Sequence, residues 1–261
     1  FAHYQGQFPG PKVFGGLLRV YDALAGQRQH RYQSLAAVRY LAPQINEVGL
    51  QGATCFQDAV VDDARLVMRV LGAARAEGAE GAEALNGIKV LELLRQQDKV
   101  CGVVAEDAES GQRYNFRCKA VAQATGAWAD QLRRKTGAEH IRPLRGSHLL
   151  VPAWRLPVAQ AFSFMHQQDQ RPVFVFPWEG ATVIGTTDLD HQQSLDQGAR
   201  ITAEEVNYLL HACAQQFPRA AIQRSDVIST WSGVRPVVSD GDDSAKPSDE
   251  KREHALWVEP G

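Results

Sequence analysis

The 261-residue sequence has few cysteines, no long apolar run and no excess of charge of either sign. Its four cysteines, Cys55, Cys101, Cys118 and Cys213, lie far apart with no Cys-x-x-Cys pair. That argues against a zinc framework or a disulfide scaffold and for free thiols in a reducing compartment. No stretch approaches the ~18 consecutive apolar residues of a membrane span, and none has the build of a secretory signal. A spanning helix is excluded; attachment to a membrane surface is not. A net charge of -2 gives no footprint for nucleic acid. Also missing are a Gly-x-Gly-x-x-Gly turn, a P-loop, a Gly-x-Ser-x-Gly elbow and any metal-ligand spacing. Nothing here makes a self-sufficient nucleophilic or metal site, so redox chemistry would need a cofactor.

What is present is enough for a real core, with 44% hydrophobic residues. The stretch from Val173 to Asp188 is the most organised. Two runs rich in β-branched and aromatic residues, Val173-Phe174-Val175-Phe176 and Ala181-Thr182-Val183-Ile184-Gly185, flank Pro177-Trp178-Glu179-Gly180. That pattern predicts a β-hairpin, ending on the polar corner Thr186-Thr187-Asp188. Helical spacing predicts helices from Val13 to Leu24, from Leu35 to Leu41 after a Ser34 cap, and after an Asp62 or Asp63 cap. Another starts at Thr202, with Glu204 and Glu205 in the first turn, where the helix dipole favours negative charge. Strands are expected at Gly49–Asp58, Ile88–Leu94, Val100–Asp107, Tyr114–Lys119, Ala120–Ala124, Arg142–Val151, Ala161–Phe164, Asp226–Val238 and Ala255–Val258. The fold class is α+β, dominated by antiparallel strands. Residues 76–83, an Ala-Glu-Gly repeat, and the charged stretch 239–253 are expected to be solvated loops.

Several residues could carry chemistry. Arg235 lies in Trp231-Ser232-Gly233-Val234-Arg235-Pro236, an apolar run with Val237 and Val238 beyond it, which predicts a buried stem. A buried guanidinium requires a partner: a phosphate or carboxylate ligand, or a structural pair with Asp188 or Asp240. His148 opens an apolar strand after Gly146 and could move a proton near neutral pH, or simply be hydrogen-bonded there. Thr187 and Asp188 could orient a polyol or close a turn. Ala124-Thr125-Gly126-Ala127-Trp128 is a glycine turn into a helix, which can offer N–H groups to a phosphate or ring system or serve only as a turn. Arg252 is a second anion contact or a solvated charge.

Taken in order, certain motifs resemble the FAD-dependent glycerol-3-phosphate dehydrogenases, members of the D-amino-acid-oxidase-like flavoproteins. They are Val61-Asp62-Asp63-Ala64-Arg65-Leu66, Ala124-Thr125-Gly126-Ala127-Trp128, Gly146-Ser147-His148, Val173 to Gly180, Ile184 to Asp188 and Ser232 to Pro236. The similarity runs from about Leu17 to His254. Gln123 and Ala127 stand where the family carries asparagine and proline, and Arg145 where it carries lysine. The resemblance implies substrate-domain segments at 1–60 and 138–261, around a partial, Rossmann-like FAD-binding segment at 61–137. It implies oxidation of sn-glycerol 3-phosphate to dihydroxyacetone phosphate, with electrons passing through FAD to a quinone, or to oxygen in an oxidase. A phosphate-polyol binding module without redox function is the third reading. By resemblance Arg235 binds the phosphate, with Thr187, Asp188 and Arg252 near the substrate. Ala124, Thr125, Gly126 and Trp128 contact the flavin, and His148 lies by the reacting centre. The resemblance further implies a cytoplasmic enzyme peripheral on the inner membrane, and allows a homodimer. Finally, it leads one to expect a piece of a longer protein whose pyrophosphate-binding fingerprint lies elsewhere. A polypeptide of these 261 residues alone is expected to hold FAD weakly and to be inactive.

Overall fold

The computed structural model describes residues 1–26, 29–77, 83–97, 99–132, 140–239, 241, 247 and 253–258. In chain order its elements begin with β1 (Ala2–Tyr4), α1 (Pro11–Leu24), β2 (Arg31–Gln33), α2 (Leu35–Leu41), β3 (Leu50–Cys55) and α3 (Asp63–Ala76). There follow β4 (Ile88–Gln96), β5 (Lys99–Asp107), β6 (Arg113–Arg117), α4 (Ala129–Leu132), β7 (His140–Pro152) and β8 (Phe162–Met165). The last are β9 (Pro172–Trp178), β10 (Ala181–Gly185), β11 (Leu189–Asp190), α5 (Ala203–Gln216) and β12 (Ser229–Ser239). Every described ladder is antiparallel. This is the mixed α+β class that the sequence implies.

The chain divides into two compact units, Phe1–Gln57 with Ala138–Glu253, and Asp58–Gly137 with His254–Gly261. In the first, β7 is the spine of a six-stranded sheet. β12 runs along one edge of it, from Ser239 opposite His140 to Ser229 opposite Leu150. β10 and β11 share the other edge, and β9 and β8 extend the sheet. The turn between β9 and β10 is only Glu179 and Gly180, both at positive φ (44° and 84°). That geometry matches the twist of a tight hairpin. The sequence placed the turn from Pro177, but Pro177 still pairs with Thr182. β8 accompanies β9 only as far as Val175, so the missing proline N–H falls on an open edge.

Side chains alternate across a sheet, and the two faces of this one differ. Leu149, Val151, Val173, Val175 and Ile184 are buried on one face with Val206, Leu209, Ala212 and Cys213 of α5. The other face carries His148, Trp231, Phe174 and Arg235 in register, and Trp231 and Phe174 remain about 40% exposed. A smaller sheet, β1-β3-β2, completes this unit with α1 and α2. It is tied to the end of α5 by Asn46 N–H to the Gln216 carbonyl (2.7 Å) and Gln216 Nε2 to the Tyr4 hydroxyl (2.9 Å).

The second unit holds α3, α4 and the meander β4-β5-β6. Asp62 caps α3 by accepting the Arg65 N–H at 3.0 Å. Two expected strands are absent: Ala120–Ala124 and Ala255–Val258 are irregular. A strand needs a ladder partner for its backbone groups, and no described strand pairs with either segment. Most of the acidic repeat and of the charged stretch near 240–252, with Asp240 and Arg252, lies outside the described residues. No described helix is long and apolar enough to cross a membrane.

Candidate active site

The site is built on a break in one ladder. Gly185 pairs with His148 and Leu189 with Arg145. Three residues, Thr186, Thr187 and Asp188, therefore stand opposite two, Gly146 and Ser147. A bulge of this kind re-aims side chains and occurs often beside active sites. The Thr187 N–H donates to the Ser147 carbonyl (3.3 Å), and the Ser147 N–H donates to the Thr187 hydroxyl (3.0 Å).

Arg235 reaches this bulge from β12. Its Nη1 donates to Asp188 Oδ1 at 2.9 Å and its Nη2 to Thr186 Oγ1 at 3.4 Å. It crosses β7 at Gly146, where a Cβ would sit 2.6 Å from Nη2 and 2.8 Å from Thr186 Oγ1. Only glycine leaves room for the fork. The expectation of a buried stem is corrected: the Arg235 side chain is 35% exposed. Strand alternation sends Val234 and Val238 to the opposite face, so they cannot cover it. Asp188, by contrast, is only 6% exposed. Arg171 holds it as well, Nη2 lying 2.9 Å from Oδ2. Among the described residues, two guanidiniums on one carboxylate leave this trio one positive charge in excess, and the rest of the Arg235 fork makes no hydrogen bond.

His148 lies beside this corner on the same open face. Its ring stands 5.0 Å from that of Trp231 at an interplanar angle of 31°. It rests over Gly185, where a Cβ would collide with the imidazole. Burial, and after it the Arg235 charge, pushes the His148 pKa down to about 4. Its Nδ1 is buried without a hydrogen-bond partner among the described residues. A neutral ring with an unsatisfied buried nitrogen is a group waiting for a ligand atom.

The reverse side of the bulge faces α5. Thr187 turns there: its hydroxyl donates to Glu205 Oε1 at 2.7 Å, as does that of Ser147 at 2.8 Å. Glu205 also accepts the Thr202 N–H (2.9 Å) and pairs with Arg145 Nη2 (3.0 Å). Ser232 of β12 joins through Ser147, oxygen to oxygen 2.8 Å. Burial acts to raise the Glu205 pKa, but the bonds from Thr187, Thr202, Ser147 and Arg145 outweigh it, so the carboxyl titrates below its ordinary range. This hub was not foreseen from the sequence. Its legible trace was Thr202-x-x-Glu205, the capping box that α5 forms.

His148, Thr187, Asp188 and Arg235 thus meet around one bulge. Ala124, Thr125, Gly126 and Trp128 belong to the second unit. There Gly126 (φ 57°) opens a single 3-10 turn, Gly126–Trp128, before α4, and the Trp128 N–H donates to the Thr125 carbonyl at 3.1 Å. Arg252 is outside the described residues.

The open face suits a flat aromatic group. It presents Trp231 and Phe174, lacks side chains at Gly146, Gly185 and Gly233, and holds the unsatisfied nitrogen of His148.

Comparison with known proteins gives a consistent result. A sequence model of the family described as FAD dependent oxidoreductase matches residues 8–259. The aerobic glycerol-3-phosphate dehydrogenase of Bacillus subtilis (strain 168) is 34% identical over 247 residues, covering 92% of this chain and 43% of that protein. The alpha-glycerophosphate oxidase of Streptococcus pyogenes serotype M3 (strain ATCC BAA-595 / MGAS315) is 33% identical over 254 residues, covering 91% and 41%. Among solved structures, the glycerol-3-phosphate dehydrogenase from Bacillus halodurans complexed with FAD aligns with a TM-score of 0.73 at 32% identity, covering 81% of this chain and 42% of that one. Glycine oxidase from Bacillus cereus ATCC 14579, at 19% identity and a TM-score of 0.60, shares the fold alone. The chain spans less than half the length of these curated relatives.

Proposed function

The chain belongs to the FAD dependent oxidoreductases, and from that premise we propose that it forms part of a flavin-dependent dehydrogenase acting on sn-glycerol 3-phosphate. The observation that carries this reading is the Arg171–Asp188–Arg235 trio, with its surplus charge beside a neutral histidine. Arg235 binds the substrate phosphate with the N–H groups that Asp188 leaves over. Asp188 holds the guanidinium in place, and Thr187, locked to Glu205, holds the turn that carries Asp188.

Bound FAD supplies a two-electron acceptor for the hydride from C2. His148 takes the proton of the C2 hydroxyl. Its depressed pKa keeps it neutral and ready to accept at physiological pH. A phosphate on Arg235 offsets the charge that lowers that pKa, so substrate binding makes His148 a stronger base. In the second unit, the Ala124–Trp128 turn is offered as a flavin contact. Units one and two then correspond to substrate-binding and flavin-binding parts. Delivery of electrons to a quinone, peripheral attachment to a membrane and pairing as a homodimer rest on the family likeness alone. Oxygen is a second acceptor to consider, because the oxidase relative is nearly as similar, 33% identical against 34% for the dehydrogenase.

The test is Arg235→Ala in the purified full-length enzyme that contains this chain, with glycerol 3-phosphate binding followed by calorimetry. Loss of a charge-assisted anion contact should weaken binding by roughly 2–5 kcal/mol. An unchanged Kd sinks the phosphate assignment. Oxygen uptake with peroxide release, against reduction of a soluble quinone, separates the two acceptors.

A further inference from the structure

Arg171 stands at the end of the loop joining β8 to β9, and its backbone is firmly held. The His166 N–H donates to the Arg171 carbonyl at 2.8 Å, and the Arg171 N–H donates to Asp169 Oδ1 at 3.2 Å. The Tyr208 hydroxyl donates to the same carboxylate at 3.1 Å. His166, fully buried, stacks on Tyr208 at 4.0 Å and 6°. From this fixed base the guanidinium reaches Asp188 twice. Nη1 donates to its carbonyl at 2.7 Å, and Nη2 lies 2.9 Å from Oδ2, an ion pair without hydrogen-bond geometry. Arg235 engages the other oxygen, Oδ1, at 2.9 Å.

An arginine alone with a carboxylate tends to close on both oxygens as a fork-to-fork pair. Such a pair is neutral and spends two donors on its partner. We propose that Arg171 is a positioning residue for anion recognition. By engaging Asp188 Oδ2 it keeps Arg235 in a one-oxygen contact, and so leaves Arg235 both the donors and the net positive charge that a phosphate needs. Asp188 is almost wholly buried, so the effect is poorly screened by salt. The inference rests on the reading of Arg235 as the phosphate contact. It adds a residue from a different strand connection whose own fork points to Asp188.

The experiment compares wild type, R171A, R171K and R235A in the purified, FAD-loaded full-length enzyme that contains this chain. Kd for glycerol 3-phosphate and for inorganic phosphate is measured by calorimetry, with KM, kcat and Tm alongside. R171A should weaken both Kd values about tenfold, as expected for one member of a coupled charge network. kcat at saturation should stay within about twofold, because only ground-state binding is touched. R171K keeps the charge without the fork and should recover part of the loss. A Tm that falls while both Kd values hold would mean a merely structural role and overturns the proposal. So does a fall in kcat at constant Kd. Should R171A fail to fold, R171K decides: an unchanged Kd refutes, a weakened one supports. R235A separates the layers. If it leaves binding intact, or if wild type binds neither anion, the phosphate reading falls and takes this inference with it. If R235A abolishes binding and R171A does not affect it, only this inference falls.

Discussion

Replacing Glu205 by glutamine tests the buried hub without reference to any ligand. The Glu205 side chain is 1% exposed and faces Arg145, itself 8% exposed, at 3.0 Å. Its two oxygens accept from the Thr187 and Ser147 hydroxyls and the Thr202 N–H. An amide turns one of these acceptors into a donor. In either orientation, a hydroxyl pair or a backbone N–H then meets an NH2 group. The Arg145 charge also loses its counter-ion inside the protein. Breaking one side of a buried ion pair costs about 3–5 kcal/mol, a large part of the roughly 5–15 kcal/mol that holds a domain folded.

Urea unfolding of E205Q, read by tryptophan fluorescence, should therefore show a much lower midpoint at an unchanged m-value. The double variant R145M/E205M removes both charges, and should lose less than the two single losses added together. The pH dependence follows from the sign of the shift. The folded Glu205 pKa lies below its ordinary 4.5, so its contribution is present above that value and disappears as pH falls through the folded pKa. E205Q should flatten this acid limb. A loss under about 1 kcal/mol, or strictly additive single losses, would refute the account of a coupled, desolvated hub.

Two further predictions concern His148. Its folded pKa, near 4, lies below the ordinary 6.5, so the unfolded chain takes up a proton first as pH falls. Stability should then decline between about pH 6.5 and 4, and H148F should make the slope shallower by the His148 share, the buried His3, His166 and His191 supplying the rest; an imidazole NMR titration of His148 at or above 6.5 contradicts this. Gly185→Ala places a methyl against the imidazole; the ring should swing off Trp231 and titrate closer to 6.5, at a cost of about 1–3 kcal/mol for overpacking. An unaltered His148 titration in a folded G185A protein would show that the close approach is not what fixes the ring.

What was legible in the sequence was what neighbouring residues decide between themselves. Ser34 and Thr202 cap the helices they precede, accepting N–H groups three residues on. The β9–β10 hairpin forms where β-branched runs flank a glycine turn. The ordered motifs from Val61 to Pro236 suffice to indicate the family, and the match over residues 8–259 bears that out. What failed depended on distant partners. Ala120–Ala124 has the composition of a strand but pairs with no described strand. β1, β2 and β11 are two or three residues long, too short for a period of two to stand out. Glu204 and Glu205 look equivalent as first-turn acids, yet one is exposed and the other buried. Successive helical residues point about 100° apart, and only the second faces the sheet. Arg171 carried no local signal, because Asp188, the residue it holds, is 17 positions away.

The bulge explains why recognition and support can be built from adjacent residues. In an unbroken ladder, Thr186 to Asp188 would pair with β7 one to one, and their faces would be fixed by alternation. With three residues opposite two, Thr187 is freed to hydrogen-bond into the Glu205 hub on the α5 side, while Asp188 meets Arg235 arriving from β12 over Gly146. The anchored side makes the other side rigid: Thr187 cannot move without disturbing a buried carboxylate, so Asp188 and the guanidinium it orients are held by the core of the sheet rather than by a loop. A substrate anion would then meet a preset donor array and would not have to order one on binding, which is the condition under which a charged contact contributes most to affinity.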